Sequence, residues 1–236
     1  SVTDRATIGN MGAELGCTTS MFPSDQRTKQ FLESQGRGDV WTEIKPDPDA
    51  VYSEVVEIDL STLEPLIACP SSPDNVKKVS EVEGRPVSQV IVGSSVNSSF
   101  RDLMITALAI RGRHCHPDVS LEINPGSTQV LLNVAQSGGV MDLIRGGARI
   151  HQSGCLGCIG MGQAPATGTV SLRTFPRNFP GRSGTKPDLV YLCSPETAVA
   201  SAIFGKITDP RKLGPYPTIS EPQKYLINDE NLLVPP

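Results

Sequence analysis

From Val87 to Gly205 the chain runs as short apolar strands in regular alternation with longer segments of helical periodicity, and this constrains its fold more than any other feature. "VSQVIVGS" has the continuous apolar character of a strand buried on both faces, and "SFRDLMITALAIRGR" follows it with helical spacing. The strand "VSLEI", the turn "NPGS" and the helix "TQVLLNVAQSGG" come next. "VMDLIRGG", the short strand "ARIHQ", the strands "TVSLRTF" and "DLVYLCS" and the helix "PETAVASAIFG" complete the series. Strands separated by helices of this length predict an α/β fold, a three-layer α/β/α arrangement around a mainly parallel sheet. In such folds functional groups sit on loops after the carboxyl ends of strands, where "GSSVNSS" and "GCLGCIG" fall.

The amino-terminal part is less regular. "NMGAELG" predicts helix and "CTTSMFP" a short strand, and "SDQRTKQFLESQGR" reads as a helix with Ser24 as N-cap and Gly36 at its stop. "YSEVVEIDL" alternates as a half-buried strand does. The Pro- and Ser-rich stretch "ACPSSPDNVKKVSEVEGRP" is the expected domain boundary, giving 1–78, 79–205 and a proline-rich linker at 206–236.

Composition excludes several classes. The net charge of −4 over 236 residues provides no general basic field, so nucleic acid is not an expected partner. No apolar run reaches the roughly 18 residues of a membrane-spanning helix, and no membrane association is expected. Six cysteines are too few for a disulfide scaffold in a chain this long, and point to a reducing compartment, the cytoplasm.

Three motifs carry chemistry. Cys155 and Cys158 lie three apart among glycines in "GCLGCIG". A redox pair, half a zinc site, two ligands of an iron–sulfur cluster and a structural pair in a tight turn are all compatible with that spacing. The following "GMGQAPATG" is a poor helix opening for a redox pair, and His114 and His116 in "RHCHPD" do not complete a zinc site convincingly. Arg177 and Arg182 in "FPRNFPGRSG" are a pair of guanidinium forks suited to carboxylates. In "IGNMGAELG", Asn10 and Glu14 share a helix face, where a carboxylate can act as acid, base or acceptor. Each motif alone also reads as ordinary surface or packing.

Taken together, "ATIGNMGAELGCTTSMFPSD", "VGSSVNSSFRDL", "NPGSTQV", "GCLGCIG", "RNFPGRSGT" and "CSPETAVASAI", in this order, resemble the aconitase superfamily over nearly the whole chain. The resemblance implies a central section of the catalytic core: the later part of one α/β domain, a complete second one, and a linker to a mobile swivel domain. It further implies a [4Fe–4S] cluster with Cys155 and Cys158 as ligands, Arg177 and Arg182 as binders of a tricarboxylate substrate, and Asn10 and Glu14 as catalytic polar groups. The segment "TTSMFPSD" points to citrate and aconitate chemistry over isopropylmalate or homocitrate-type substrates. The family's "DSHT"-type and "SRGSS"-type segments are missing, so the 236 residues alone are expected to be inactive without the N-terminal and swivel domains.

The sequence departs from the family at Ser95, which stands in "GSSVNSS" where the resemblance implies the third cluster cysteine, and at Pro176. An engineered serine does not account for Val96 or Pro176. A divergent subgroup drawing its third ligand from Cys17 or Cys69 is preferred. A cluster-less relative with a binding role is the remaining alternative.

Overall fold

β3 (Gln89–Val92), the strand read as buried, lies within a seven-stranded sheet of order β2-β1-β7-β6-β3-β4-β5 in this computed structural model, which describes residues 1–230, 232 and 233. Its parallel neighbours are β4 (Ser120–Ile123) and β6 (Val170–Arg173); β5 (Arg149–Ile150) extends the parallel set beyond β4, and β7 (Leu189–Cys193) beyond β6. β1 (Leu66–Ala68) is antiparallel to β7 and to β2 (Val76–Lys78). The α/β organisation expected from the alternation is therefore present, with an antiparallel hairpin added at one edge.

The chain forms two units, one of Ser1–Glu64 with Pro222–Tyr225 and one of Pro65–Glu221 with the segment from Leu226 onward. The break falls after Glu64 because β1 and β2, which precede the expected boundary at 78, are hydrogen-bonded into the second unit's sheet. The start of the expected linker is packed: Ile207 and Thr208 are buried, and Ile207 exchanges backbone bonds with Gly84 and Arg85.

In the first unit α1 (Val2–Gly12) starts at a capping box of Ser1 and Asp4 and leads into a 3-10 turn at Ala13–Leu15. α2 (Gln26–Ser34) is capped by Asp25, one residue beyond the expected Ser24, because the Asp25 carboxylate accepts from the amides of Arg27 and Thr28. Ser24 instead bridges to Ile44. "CTTSMFP" and "YSEVVEIDL" form no strand. Val51, Val55, Val56 and Ile58 are exposed, and the described residues of this unit offer no strand whose amides could pair with theirs.

In the second unit α3 (Val79–Val82) precedes β3, and the longer helices start where the sequence supplies caps. Ser99 and Asp102 close a capping box on α4 (Phe100–Ile110), Ser127 caps α5 (Thr128–Gln136), and α6 (Gly139–Arg145) follows directly. Ser194 caps α7 (Pro195–Phe204), which has proline in its first turn and the left-handed Gly205 at its end.

The sheet register separates two faces. Val90, Val92, Leu121, Ile123 and Leu172 share one face and are buried, with α7 packed on β3 and α4 on α7. Each such side chain contributes about 1.5–3 kcal/mol by leaving water. Gln89, Ile91, Glu122, Ser171 and Arg173 share the other, which the cysteine-bearing segment after β5 covers.

Candidate active site

Loops that follow the carboxyl ends of the parallel strands meet at that end of the sheet. After β3, Gly93 adopts φ +100°, and a Cβ there would lie 2.0 Å from the Asn124 carbonyl oxygen, so only glycine lets the loops after β3 and β4 touch. The Gly93 amide donates to Thr174 Oγ1 at 2.9 Å, and Asn97, itself at φ +57°, donates through Nδ2 to the Thr174 carbonyl. This joins the loops after β3 and β6. Ser95 lies exposed in the loop after β3.

The cysteine loop is attached at several points. The Gly154 amide donates to the Pro125 carbonyl at 2.9 Å, and a single 3-10 turn spans Gly157–Ile159. That one turn is all the helix "GCLGCIG" makes, consistent with the poor opening seen in the sequence. A Cβ on Gly157 would lie 2.4 Å from Gln163 Oε1. Cys155 is exposed; Cys158 is 2% exposed and packs with Ala68, Ile91, Phe175, Val190 and Leu192. Burial pushes the Cys158 thiol above its ordinary pKa, with neighbouring Cys155 pushing the same way, while Arg182 pulls it back. Arg182 Nη2 is 3.4 Å from Cys158 Sγ.

The arginine loop after β6 is held by Asn178, whose Nδ2 donates to the carbonyls of Cys69 and Val190 at 2.9 and 3.0 Å. Arg177 and Arg182 are both half-buried. Arg182 Nε, Ser183 Oγ and Asn178 Oδ1 are buried without a hydrogen-bonding partner. The unspent donors of Arg182 and Ser183, beside a thiol, suit an anionic ligand, whereas the Asn178 oxygen only accepts.

Sequence reasoning missed the polar layer beneath the cysteine loop. Arg173, fully buried, donates from Nε to Ser171 Oγ (3.0 Å), from Nη1 to the Gly157 carbonyl (2.7 Å), and from Nη2 to Gln89 Oε1 (3.1 Å) and the Gln163 carbonyl (3.0 Å). Gln89 and Gln163 in turn donate to the two oxygens of Glu122 at 3.1 and 2.7 Å, and Asn124 Nδ2 donates to Gln163 Oε1 at 3.0 Å. His151 Nε2 lies 3.1 Å from Glu122 Oε2. Burial lowers the Arg173 pKa to about 10, with Cys158, Glu122 and Asp188 opposing it, so the guanidinium stays charged at neutral pH. The available signal was the repeated polar residue at the same face of three adjacent strands: Gln89, Glu122, and Ser171 with Arg173.

Of the residues singled out in the sequence, the structure brings together Cys155, Cys158 and Arg182. Cys69 does not join them. Its neighbour Ala68 packs with Cys158, while the buried Cys69 thiol, whose pKa is raised by burial, interacts with Lys77, Arg85 and Glu81. Asn10, Glu14 and Cys17 belong to the first unit, where Asn10 lies in the last turn of α1, Glu14 lies in the 3-10 turn and Cys17 is exposed. Among the described residues no three His, Cys, Asp or Glu side chains group as a metal site. His116 packs against Gly205, at the end of α7. The donor set therefore fits two corners of an iron–sulfur cluster, Cys155 and Cys158, in a glycine-lined loop beside a cation, and a third corner is not supplied by a thiol of this unit in the observed arrangement.

Comparison with known proteins gives the family. Residues 1–205 match the family model of the aconitase family (aconitate hydratase). The chain is 41% identical over 215 residues to 3-isopropylmalate dehydratase large subunit 1 of Thermotoga maritima, covering 90% of this chain and 51% of that protein. It is 42% identical over 213 residues to 3-isopropylmalate dehydratase large subunit 1 of Methanopyrus kandleri (89% and 50%). It is 39% identical over 214 residues to the "Probable methanogen homoaconitase large subunit" of Methanosarcina mazei (90% and 54%). The chain spans about half the length of these curated relatives. These names do not follow the citrate preference expected from "TTSMFPSD"; they favour the isopropylmalate or homoaconitase type that the sequence had ranked second. With a family match over residues 1–205 and the cysteine and arginine loops joined through Arg182 and Cys158, the chain belongs to the aconitase family.

Proposed function

We propose that this chain is the central section of an aconitase-family hydro-lyase that removes and re-adds water on an isopropylmalate-type hydroxy dicarboxylate. The observation that carries the proposal is Arg182 standing 3.4 Å from the thiol of Cys158 in a glycine-lined loop that also bears Cys155. The names of the similar proteins support the substrate class, and "large subunit" in those names supports a separate small subunit as partner. Citrate, the expectation from "TTSMFPSD", gives way to this substrate, and homocitrate-type acids remain its nearest competitors.

In this proposal Cys155 and Cys158 hold two corners of a [4Fe–4S] cluster. When bound, such a cluster supplies a Lewis acid that polarises the substrate's hydroxyl and one carboxylate. Arg177 and Arg182 bind substrate carboxylates through paired charge-assisted bonds. Asn10 and Glu14 hold or move a proton at the departing hydroxyl. Ser95, in the loop after β3, is the third-corner candidate in the same unit as the pair, with Cys17 as the thiol alternative. The remaining domains complete the pocket.

The test is anaerobic reconstitution of the full-length protein, reading iron and sulfide content, visible absorbance and turnover. Cys155→Ser and Cys158→Ser are expected to lose iron, Ser95→Cys to hold it more firmly, and 3-isopropylmalate to be turned over with a higher kcat/KM than citrate. Iron-free protein after reconstitution, or a preference for citrate, refutes the corresponding half of the proposal.

A further inference from the structure

The fully buried guanidinium of Arg173 reaches the cysteine loop from beneath. Its Nη1 donates to the carbonyl of Gly157, the residue before Cys158, and its Nη2 to the carbonyl of Gln163, beyond the turn. One carbonyl belongs to the first residue of the 3-10 turn that carries Cys158, and the other lies beyond its end. The other two bonds, to Ser171 Oγ and Gln89 Oε1, fasten the guanidinium to β6 and β3. All four acceptors are neutral. One buried counter-charge, Glu122, is reached only through Gln89 and Gln163, which donate to its two oxygens.

We propose that Arg173 is a positioning residue for the cysteine loop: a rigid cationic fork that fixes the backbone on both sides of Cys158 to the central strands of the sheet. A planar guanidinium with three donating nitrogens can hold two loop carbonyls and two strand side chains at once, whereas an ammonium has no such fixed fork. The glycines of the loop make such a clamp necessary, because a segment with so few side chains has little other means of resisting its own backbone entropy. Gln163 serves twice, as a clamped carbonyl and as the amide linking Asn124 to Glu122. The purpose of the clamp, to keep Cys158 in place for a ligand, rests on the cluster assignment; the clamp itself does not, and its test uses no cluster.

Hydrogen exchange on the unloaded chain reads the clamp directly. The amides of Gly160, Met161 and Gln163 are bonded within the loop, to Gly157, Leu156 and Gly160. In the native chain they are expected to exchange as slowly as amides of β3 and β6. Arg173→Lys is expected to speed them on the order of 10- to 100-fold, the factor that accompanies loss of a charge-assisted bond to a buried carbonyl. Alkylation of Cys158, measured against Cys155 at one pH, rises with it. Arg173→Met with Glu122→Gln removes the guanidinium together with the carboxylate linked to it through Gln89 and Gln163, which lowers the cost of a stranded buried ion while the clamp is still lacking, and its loop is expected to open equally. Leu172→Ala, on the opposite face of the sheet, lowers stability without this selective opening. A loop that exchanges freely in the native chain, or that stays protected when Arg173 is replaced, overturns the proposal.

Discussion

Gly160 and Ser183 meet backbone to backbone: a Cβ on Gly160 would stand 2.0 Å from the Ser183 carbonyl oxygen. This contact joins the cysteine loop to the arginine loop, and Gly160 also adopts φ +76°, a conformation that costs an L-residue about 1–2 kcal/mol. Gly160→Ala is therefore expected to destabilise the second unit by more than about 2 kcal/mol, strain and clash together. Thermal unfolding checks the loss. A Tm equal to that of the parent would show that the two loops are not in contact.

Asn178 tethers the arginine loop to two strands that are themselves neighbours, through the carbonyls of Cys69 after β1 and Val190 in β7. Asn178→Ala leaves both carbonyls without that donor in a buried setting, at a cost of about 2 kcal/mol or more. Asn178→Asp keeps the shape but removes the donors, and is expected to be at least as damaging. Denaturant titration distinguishes these outcomes from a neutral surface change.

Asp25 both caps α2 and pairs with Arg5, whose Nη2 lies 2.6 Å from its carboxylate, and these contacts lower its pKa to about 2. Because the folded value lies below the ordinary carboxylate value of ~3.9, this contribution to stability is complete above that pH. It is lost as pH falls through about 2. An NMR titration of the Asp25 carboxyl carbon is expected to give the low value, and Arg5→Leu to return it towards the ordinary one. An unshifted titration in the parent chain contradicts the pairing.

Thiol accessibility gives a fourth check. Cys17 and Cys155 are exposed, whereas Cys69 and Cys158 are buried, and burial raises the pKa of both buried thiols. A thiol reagent applied to the native chain is expected to modify Cys17 and Cys155 first, with Cys69 and Cys158 following only on unfolding. Mass mapping of the labelled peptides decides it.

How much of this the sequence revealed depends on how local the determinant was. The strands around Val90, Leu121, Leu172 and Val190 and the helices capped by Ser99, Ser127 and Ser194 carry their signals within a few residues, and the structure has them where the pattern predicts. "YSEVVEIDL" has the alternation of a strand but no pairing partner in its unit, and alternation alone does not make a ladder. β1 and β2 were hidden in a loop-like stretch because three-residue strands leave almost no period to read. The cysteine and arginine loops were legible as motifs. Arg173 was not, because a polar residue within a strand ordinarily faces water, and only the register of Gln89, Glu122 and Ser171 reveals a polar layer enclosed beneath a loop.

The sheet thus divides the unit into two mechanical regimes. On the helix-covered side, where Val90, Leu121 and Leu172 lie, a substitution is felt as volume and spreads as a general softening. On the side of Gln89, Glu122 and Arg173, it is felt as a broken link in a chain of donors and acceptors, and the loop fastened to that chain is the first to loosen. A protein built this way can drift in thermal tolerance along one surface of its sheet while the geometry of its thiols is conserved by the other.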